Sequence, residues 1–368
     1  MSRAEVSKET SLHGVHKGLG ALFTDFAGWS MPVRYASELA EHKAVREAAG
    51  LFDLSHMAEI HVTGKQAADV LDFALVGNLT GVKPGRARYT MICNAEGGVL
   101  DDLVVYRLAD EHYLVVANAG NAQVVADALA ERVAGFDAVV DDRSETTALI
   151  AVQGPNAAAI LGAVTDADLD ALKYYASVPA SVKGHDVLLA RTGYTGEDGF
   201  ELFVDADEAP ALWRLLLEAG EPHGLVPAGL ACRDTLRLEA GMPLYGNELT
   251  VEQSPFEAGL GRVVKFEKPG DFVGRAALEE RSKEDVPRVR VGLRGAGRRA
   301  PRHGYAVLAD GTEIGEVTSG ALSPTLGYPI AMAYVDRAYA EPGTELSVDI
   351  RGRIEPVEVV ALPFYSRA

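Results

Sequence analysis

Apolar and polar residues change rhythm along this chain, and the rhythm predicts its elements. Residues 10–36 hold Leu19, Phe23, Phe26, Trp29 and Met31 with glycines between them, an irregular or short-strand pattern. Ser37 can cap a helix from Glu38 to about Ala49, and Gly50 can close it. Leu51–Met57 is apolar with polar interruptions. Ala58–Val62 then reads as a strand, and Gly64 opens a helix to about Val76, with Val70, Leu71 and Ala74 at helical spacing. Arg88–Cys93 is a strand that the Gly97-Gly98 turn folds onto Val99–Leu108, and Asp110-Glu111-His112 turns again into Tyr113–Ala117. A helix to about Ala134 follows, capped by Asn118 or Asn121, with Val125, Ala128, Leu129 and Val133 on one side; Asp137–Val140 is a last short strand. The order β-α-β-β-β-α-β is close to the split βαβ, ferredoxin-like plan.

The pattern then repeats. Val62–Leu71 matches Val152–Leu161 in kind, each an apolar strand, a glycine, an alanine pair and a helix. Tyr113–Val116 parallels Glu201–Val204, each ahead of a helix. The first match has an offset of 90 and the second of 88, which points to a duplicated unit. Two related sheets side by side would make a cleft with corresponding strands on its walls. The second unit carries Arg191–Glu201, a glycine-shaped hairpin loop without the features of a phosphate loop. Pro227–Ala240 reads as a helix with Leu230, Arg233, Leu236 and Arg237 at helical spacing. A connector with a short helix (Arg275–Arg281) follows. Short strands at 288–294, 305–309, 312–318, 330–335, 345–350 and 356–362 then suggest a small antiparallel barrel or sandwich. The expected fold class is α+β, with an N-terminal segment over 1–54, split βαβ units over 55–144 and 145–268, a connector over 269–287 and a C-terminal β-barrel over 288–368.

Composition narrows the function classes. The chain has 368 residues, 48% hydrophobic and 24% charged, ordinary for a globular protein of two or three domains. No apolar run approaches the roughly 20 residues of a membrane span. Met1–Gly20 is polar, without a signal-peptide core, so the expectation is a cytoplasmic protein with no membrane partner. Cys93 and Cys232 lack metal-type spacing and read as small buried thiols. His13, His16, His56 and His61 show no metal spacing either, and none receives a role. A net charge of −18 argues against a nucleic-acid surface. Against that trend, Val286–Ala309 has no acid and six arginines: Arg288, Arg290, Arg294, Arg298, Arg299 and Arg302. This basic island reads as a solvated strand face or as a docking patch.

Two places carry costly charge. Asp101 and Asp102 adjoin on the strand after the Gly97-Gly98 turn. Neighbours on a strand face opposite ways, so Asp101 goes with Leu103 and Val105, and Asp102 with Val104 and Tyr106. Only one can face a given pocket, and both could simply be solvated at the strand's entry. Arg233 shares a helix face with apolar residues, where a guanidinium needs a carboxylate or a ligand.

Four stretches together carry a resemblance: Gly97–Asp102, Thr192–Glu201, Arg233–Gly246 and Thr318–Gly327. In this order and spacing they resemble the T protein of the glycine cleavage system, a tetrahydrofolate-dependent aminomethyltransferase, from about Leu19 to Tyr365. The resemblance implies a reaction in which lipoylated H protein delivers an aminomethyl group and tetrahydrofolate takes the methylene. Ammonia, dihydrolipoyl H protein and 5,10-methylenetetrahydrofolate are the products. It implies a folate-binding cleft and no metal. It also assigns residues: Asp102 as the catalytic aspartate with Asp101 as fallback, Glu201 on the pterin's paired donors, and Tyr89, Asn118, Tyr194 and Arg233 around the folate. Bland readings stand beside these. Tyr89 and Tyr194 fit half-buried strand tyrosines, Asn118 fits a helix cap, and Glu201 with Arg233 fits a structural ion pair. Cys232 departs from the alanine of many relatives. Alternative functions are another folate-dependent methyl or demethyl transferase, or the folate-binding relative that assists iron–sulfur assembly; Met242–Glu248 lacks the cysteine of the latter. The basic island is then expected to dock an acidic H protein or hold the folate's glutamate tail.

Overall fold

The computed structural model describes residues 7–367. An N-terminal helix α1 (His13–Gly18) leads to a hairpin of β1 (Leu22–Phe26) and β2 (Trp29–Arg34), then α2 (Glu38–Glu47) and β3 (Ala49–Asp53). Two runs of the same plan follow. The first is β4 (Ala58–Thr63), α3 (Ala67–Ala74), β5 (Arg86–Cys93), β6 (Val99–Ala109), β7 (His112–Ala117), α4 (Ala122–Arg132) and β8 (Val139–Asp142). The second is β9 (Thr147–Gln153), α5 (Ala157–Gly162), β10 (Ser177–Val182), β11 (His185–Ala190), β12 (Gly199–Asp205), α6 (Ala209–Gly220) and β13 (Leu225–Pro227). Helices α7 (Leu230–Glu239) and α8 (Arg275–Arg281) precede the strands β14 (Arg288–Gly295), β15 (Ala306–Ala309), β16 (Thr312–Leu322), β17 (Pro329–Asp336), β18 (Glu345–Asp349) and β19 (Ile354–Val360). Among the described residues no helix is long and apolar enough to cross a membrane.

Sheet order bears out the duplication. The first run forms a sheet β5-β6-β7-β4-β8, and the second forms β10-β11-β12-β9-β3-β13. The orders coincide once β3 is removed. β3 is the insertion: it runs antiparallel to β9 and parallel to β13. The hydrophobic pattern hid it, because Gly50 reads as a helix stop. Instead α2 ends at Glu47, with Ser37 Oγ capping its start from Ala40 N at 3.1 Å, and Gly50 lies inside the strand. A side chain at Gly50 would press on Val45, Phe52 and Ala228.

The chain packs as two compact units. The first holds the segments through Ala68, Gly81–Arg88 and Val104–Asp234. Its core joins Leu51, Ile150, Val152, Phe200 and Leu202, on one sheet face, to the helix residues Ile160, Leu212, Trp213 and Leu216. On the opposite face Phe203 meets Tyr106 edge to face at 5.5 Å. A cross-strand pair, His61 Nδ1 and His112 Nε2 at 2.7 Å, shares one hydrogen bond on the first sheet. Burial lowers His61 from the usual 6.5 to about 4, with Arg143 and His112 pushing the same way. Burial and then Arg143 lower His112 too.

The second unit holds Asp69–Thr80, Tyr89–Leu103 and the chain from Thr235 on. Strands β14-β17-β16-β15-β18-β19 close into a barrel, filled by alternate residues such as Val291, Leu293, Val317, Val335 and Val359. Lys268 Nζ reaches the carbonyls of Asp72, Leu75 and Gly77, which closes the C-terminal end of α3. The basic island loses much of its free charge here. Arg288 pairs with Asp336 at 3.1 Å, Arg294 with Glu358 at 2.6 Å and Arg299 with Glu355 at 3.1 Å. All three acids come from other barrel strands or their ends, so a scan along the chain sees the arginines without their partners. The turn before β6 is tight. Asn94 Oδ1 accepts from Gly98 N at 2.8 Å, Gly97 has φ +81°, and a side chain at Gly98 would run into the Val251 carbonyl.

Two outcomes follow. Gly98→Ala should destabilise the protein by about 1–3 kcal/mol through overpacking; an unchanged melting temperature would show that the Val251 segment yields freely. The histidine pair should make stability pH-dependent. The folded-state pKa values lie below the unfolded one, so the contribution is present above pH 6.5 and is lost as pH falls toward 4. The urea midpoint of wild type should fall more steeply over that window than that of a His61→Gln, His112→Gln variant. Parallel slopes would remove the pair from the account.

Candidate functional site

The first unit holds a carboxylate already oriented for a ligand. Glu201 sits near the start of β12, opposite Ala190 and Ala151 on the neighbouring strands. Its Oε2 accepts from Thr192 Oγ1 and from the Tyr106 hydroxyl, the latter at 3.1 Å. Tyr106 lies 2.9 Å from Thr192 Oγ1 as well and is fully buried. Burial, and then the Glu201 charge, push its phenol well above its ordinary pKa, so it stays a donor. Among the described residues Glu201 Oε1 has no hydrogen-bond partner. The two donors fix the carboxylate's rotamer and leave acceptor capacity open.

The loop after β11 is held on both sides. Arg191 forms a fork on Asp198, at 3.0 and 2.6 Å. Gln153 lies under the loop, donating to Thr192 O and accepting from Thr195 Oγ1, each at 3.0 Å. Side chains at Gly193 and Gly199 would collide with Gln153, which explains both glycines. From α2, Arg46 binds Thr195 O and the Glu197 carboxylate at 2.7 and 2.8 Å. This frame presents the ring of Tyr194, and Arg233 lies over it with the guanidinium carbon 4.8 Å from the centroid.

Arg233 lies near the start of α7, whose lead-in is anchored. Glu41 accepts from Gly229 N at 2.9 Å and from Tyr35 N and Ala36 N at 2.7 and 3.1 Å. The guanidinium is half-buried, and among the described residues it has no hydrogen bond and no ion pair. Burial lowers its pKa, while Tyr194, Glu201 and Cys232 oppose the shift. Glu201 and Arg233 therefore do not form the structural ion pair that spacing allowed. Cys232 is buried, with its thiol pushed up by burial and then by Glu41 and Glu38. Asn118 is half-buried beyond β7, and neither it nor Asn121 makes a side-chain cap bond.

In the second unit the two aspartates separate as strand parity requires. Asp101 is fully buried with Leu103, and Asp102 is half-buried. Tyr89 donates to Asp102 Oδ2 at 3.0 Å. Tyr245 donates to Val99 O at 3.1 Å, and burial, then Asp101 and Asp102, raise its phenol. Neither aspartate is a solvated strand-entry residue. Pattern reading gave no role to Tyr106 or Thr192. Tyr106 had a signal: it is four residues beyond Asp102 on β6 and on the same face. It also passed over Arg237, which is fully buried against Glu248 at 3.0 Å and Ser319 at 2.8 Å and is structural.

Comparison with known proteins gives the family. The family model of the GCVT N-terminal domain matches residues 12–268, and that of the glycine cleavage T-protein C-terminal barrel domain matches 288–366. An aminomethyltransferase of Streptomyces coelicolor is 67% identical over the full length of both chains. One from Bacillus subtilis is 44% identical, covering 98% of this chain and 99% of its own. The crystal structure of the glycine cleavage system aminomethyltransferase T from Bartonella henselae superposes with a TM-score of 0.92 at 38% identity, covering 98% of each chain. With both domains matched and whole-length relatives this similar, the chain belongs to the glycine cleavage T-protein family and is an aminomethyltransferase.

Proposed function

We propose that the chain moves the methylene of an aminomethyl group from the lipoyl arm of H protein to tetrahydrofolate. Ammonia and dihydrolipoyl H protein are released. The observation that carries this reading is Arg233, a half-buried guanidinium stacked on Tyr194 with no protein acceptor among the described residues. Leaving such a cation unpaired is costly, and a ligand with acceptor oxygens removes the cost. Beside it, Glu201 is orientated by Thr192 and Tyr106 and keeps acceptor capacity for a flat pair of N–H donors, such as the pterin edge presents. Both features fit a folate.

The folate supplies the nucleophilic nitrogens. Asp102 orients a reacting nitrogen, takes its proton and stabilises positive charge as the amine leaves. The Tyr89 hydroxyl holds that carboxylate at 3.0 Å. Tyr194 offers a ring face, and Asn118 stands half-buried just beyond β7. The whole reading is tested by ammonia release from aminomethyl-lipoyl H protein with and without tetrahydrofolate. Release that ignores folate, or fails with it, overturns the reading.

Two variants test the parts. Asp102→Ala should lower kcat by roughly 10²–10⁴-fold, the usual worth of a positioned acid or base, while Tyr89→Phe should cost less. Activity of Asp102→Ala within a few-fold of wild type would move the role elsewhere. Arg233→Ala should weaken folate binding and cost no more than about 0.5–2 kcal/mol of stability, the worth of its contact with the Tyr194 ring. Arg237→Ala breaks a buried pair and should cost about 3–5 kcal/mol of stability. Equal stability losses at the two arginines would contradict the distinction.

A further inference from the structure

Among the described residues His56 is a buried polar group without a hydrogen-bond partner, and it lies close enough to Arg233 to feel its charge. Strands β3 and β13 run parallel, with Leu51 opposite Pro227. Both chains leave the sheet at the same end, one through Ser55 to His56, the other through Gly229 into α7 and Arg233. The imidazole is only 4% exposed and packs edge-on against Phe26, with ring centroids 5.4 Å apart. Its Nδ1 is buried and has no hydrogen-bond partner among the described residues. The acid nearest in sequence makes its hydrogen bonds elsewhere. Asp53 accepts from Thr10 Oγ1 at 2.7 Å, His16 Nε2 at 2.9 Å and Ser55 N at 2.9 Å.

A buried nitrogen left unsatisfied costs about as much as a lost hydrogen bond, so its retention calls for a partner that comes and goes. Burial holds the ring neutral, near pKa 4; the Asp53 charge opposes this and Arg233 reinforces it. A neutral imidazole has one N–H to give. A ligand atom held by a guanidinium is an acceptor, so the proton belongs on Nδ1.

We propose that His56 is a further folate-binding residue, whose Nδ1–H donates to the ligand oxygen that Arg233 holds. The inference rests on the folate reading of the site. It adds a determinant that no motif of the sequence carried.

The test is tetrahydrofolate affinity by calorimetry on the full chain, together with melting temperature. Wild type should bind. His56→Leu should weaken Kd at least tenfold without a fall in melting temperature, since it removes an orphaned polar atom. His56→Asn, whose amide nitrogen falls near the position of Nδ1, should stay within about threefold of wild type. His56→Gln, whose amide falls near Nε2, should lose affinity as Leu does and covers the case in which Leu misfolds. In an Arg233→Ala background the His56→Leu loss should shrink, because the two residues share one ligand atom. Binding by His56→Leu or His56→Gln within twofold of wild type overturns the inference. Failure of wild type to bind tetrahydrofolate overturns the folate reading itself.

Discussion

Adjacent residues of an extended strand face opposite ways, and in β6 this rule governs two charges at once. Asp101 and Asp102 cannot share a surroundings. From Val99 to Val104 the strand alternates fully buried and half-buried positions, so Asp101 goes to the closed side and Asp102 to the open one. The Gly97-Gly98 turn fixes this phase. One residue more or less in the turn would exchange the aspartates and carry Tyr106, together with Asp102, to the closed side. A turn with φ +81° at Gly97, and no room for a side chain at Gly98, resists that slip.

Much of this was legible in the sequence, for a physical reason. Elements whose apolar residues recur locally announce themselves: the barrel strands, the 275–281 helix and both βαβ runs stand within a few residues of the pattern. The duplication was legible because both runs must bury the same faces. What stayed hidden depends on partners distant in the chain. β3 joins a sheet nearly a hundred residues later, pairing Asp53 with Ile150. The arginines of the basic island find their carboxylates on other barrel strands. Thr192 and Tyr106 become Glu201's donors only when β6 and the loop before β12 meet. Local periodicity fixes which face a residue takes and says nothing about what lies opposite.

The same distinction separates two arginines on one helix. Arg233 and Arg237 are four residues apart, and helical spacing alone does not tell them apart. Arg237 receives a full set of acceptors, Glu248, Ser319 and the Met242 carbonyl, which is how a protein keeps a buried cation stable. Arg233 receives the face of Tyr194, worth about 0.5–2 kcal/mol to a cation, and among the described residues its N–H groups find no acceptor. A chain of net charge −18 has no shortage of carboxylates. Glu201 is close enough to act on the pKa of Arg233, yet it is bonded to Thr192 and Tyr106 instead.

Polar groups that fold without partners in the midst of available partners are better explained by binding than by folding. Glu201 acts on Arg233 through its charge, and its rotamer is set by other partners. Those partners are Thr192 and Tyr106, and their own environment keeps them in place: Tyr106 by burial against Phe203, Thr192 by a loop tied down through Gln153, Arg191 and Arg46. The energy that holds acid and base apart therefore comes from packing elsewhere in the unit. A ligand presenting donors to Glu201 and acceptors to Arg233 would recover it, satisfying in a single step what the fold leaves open.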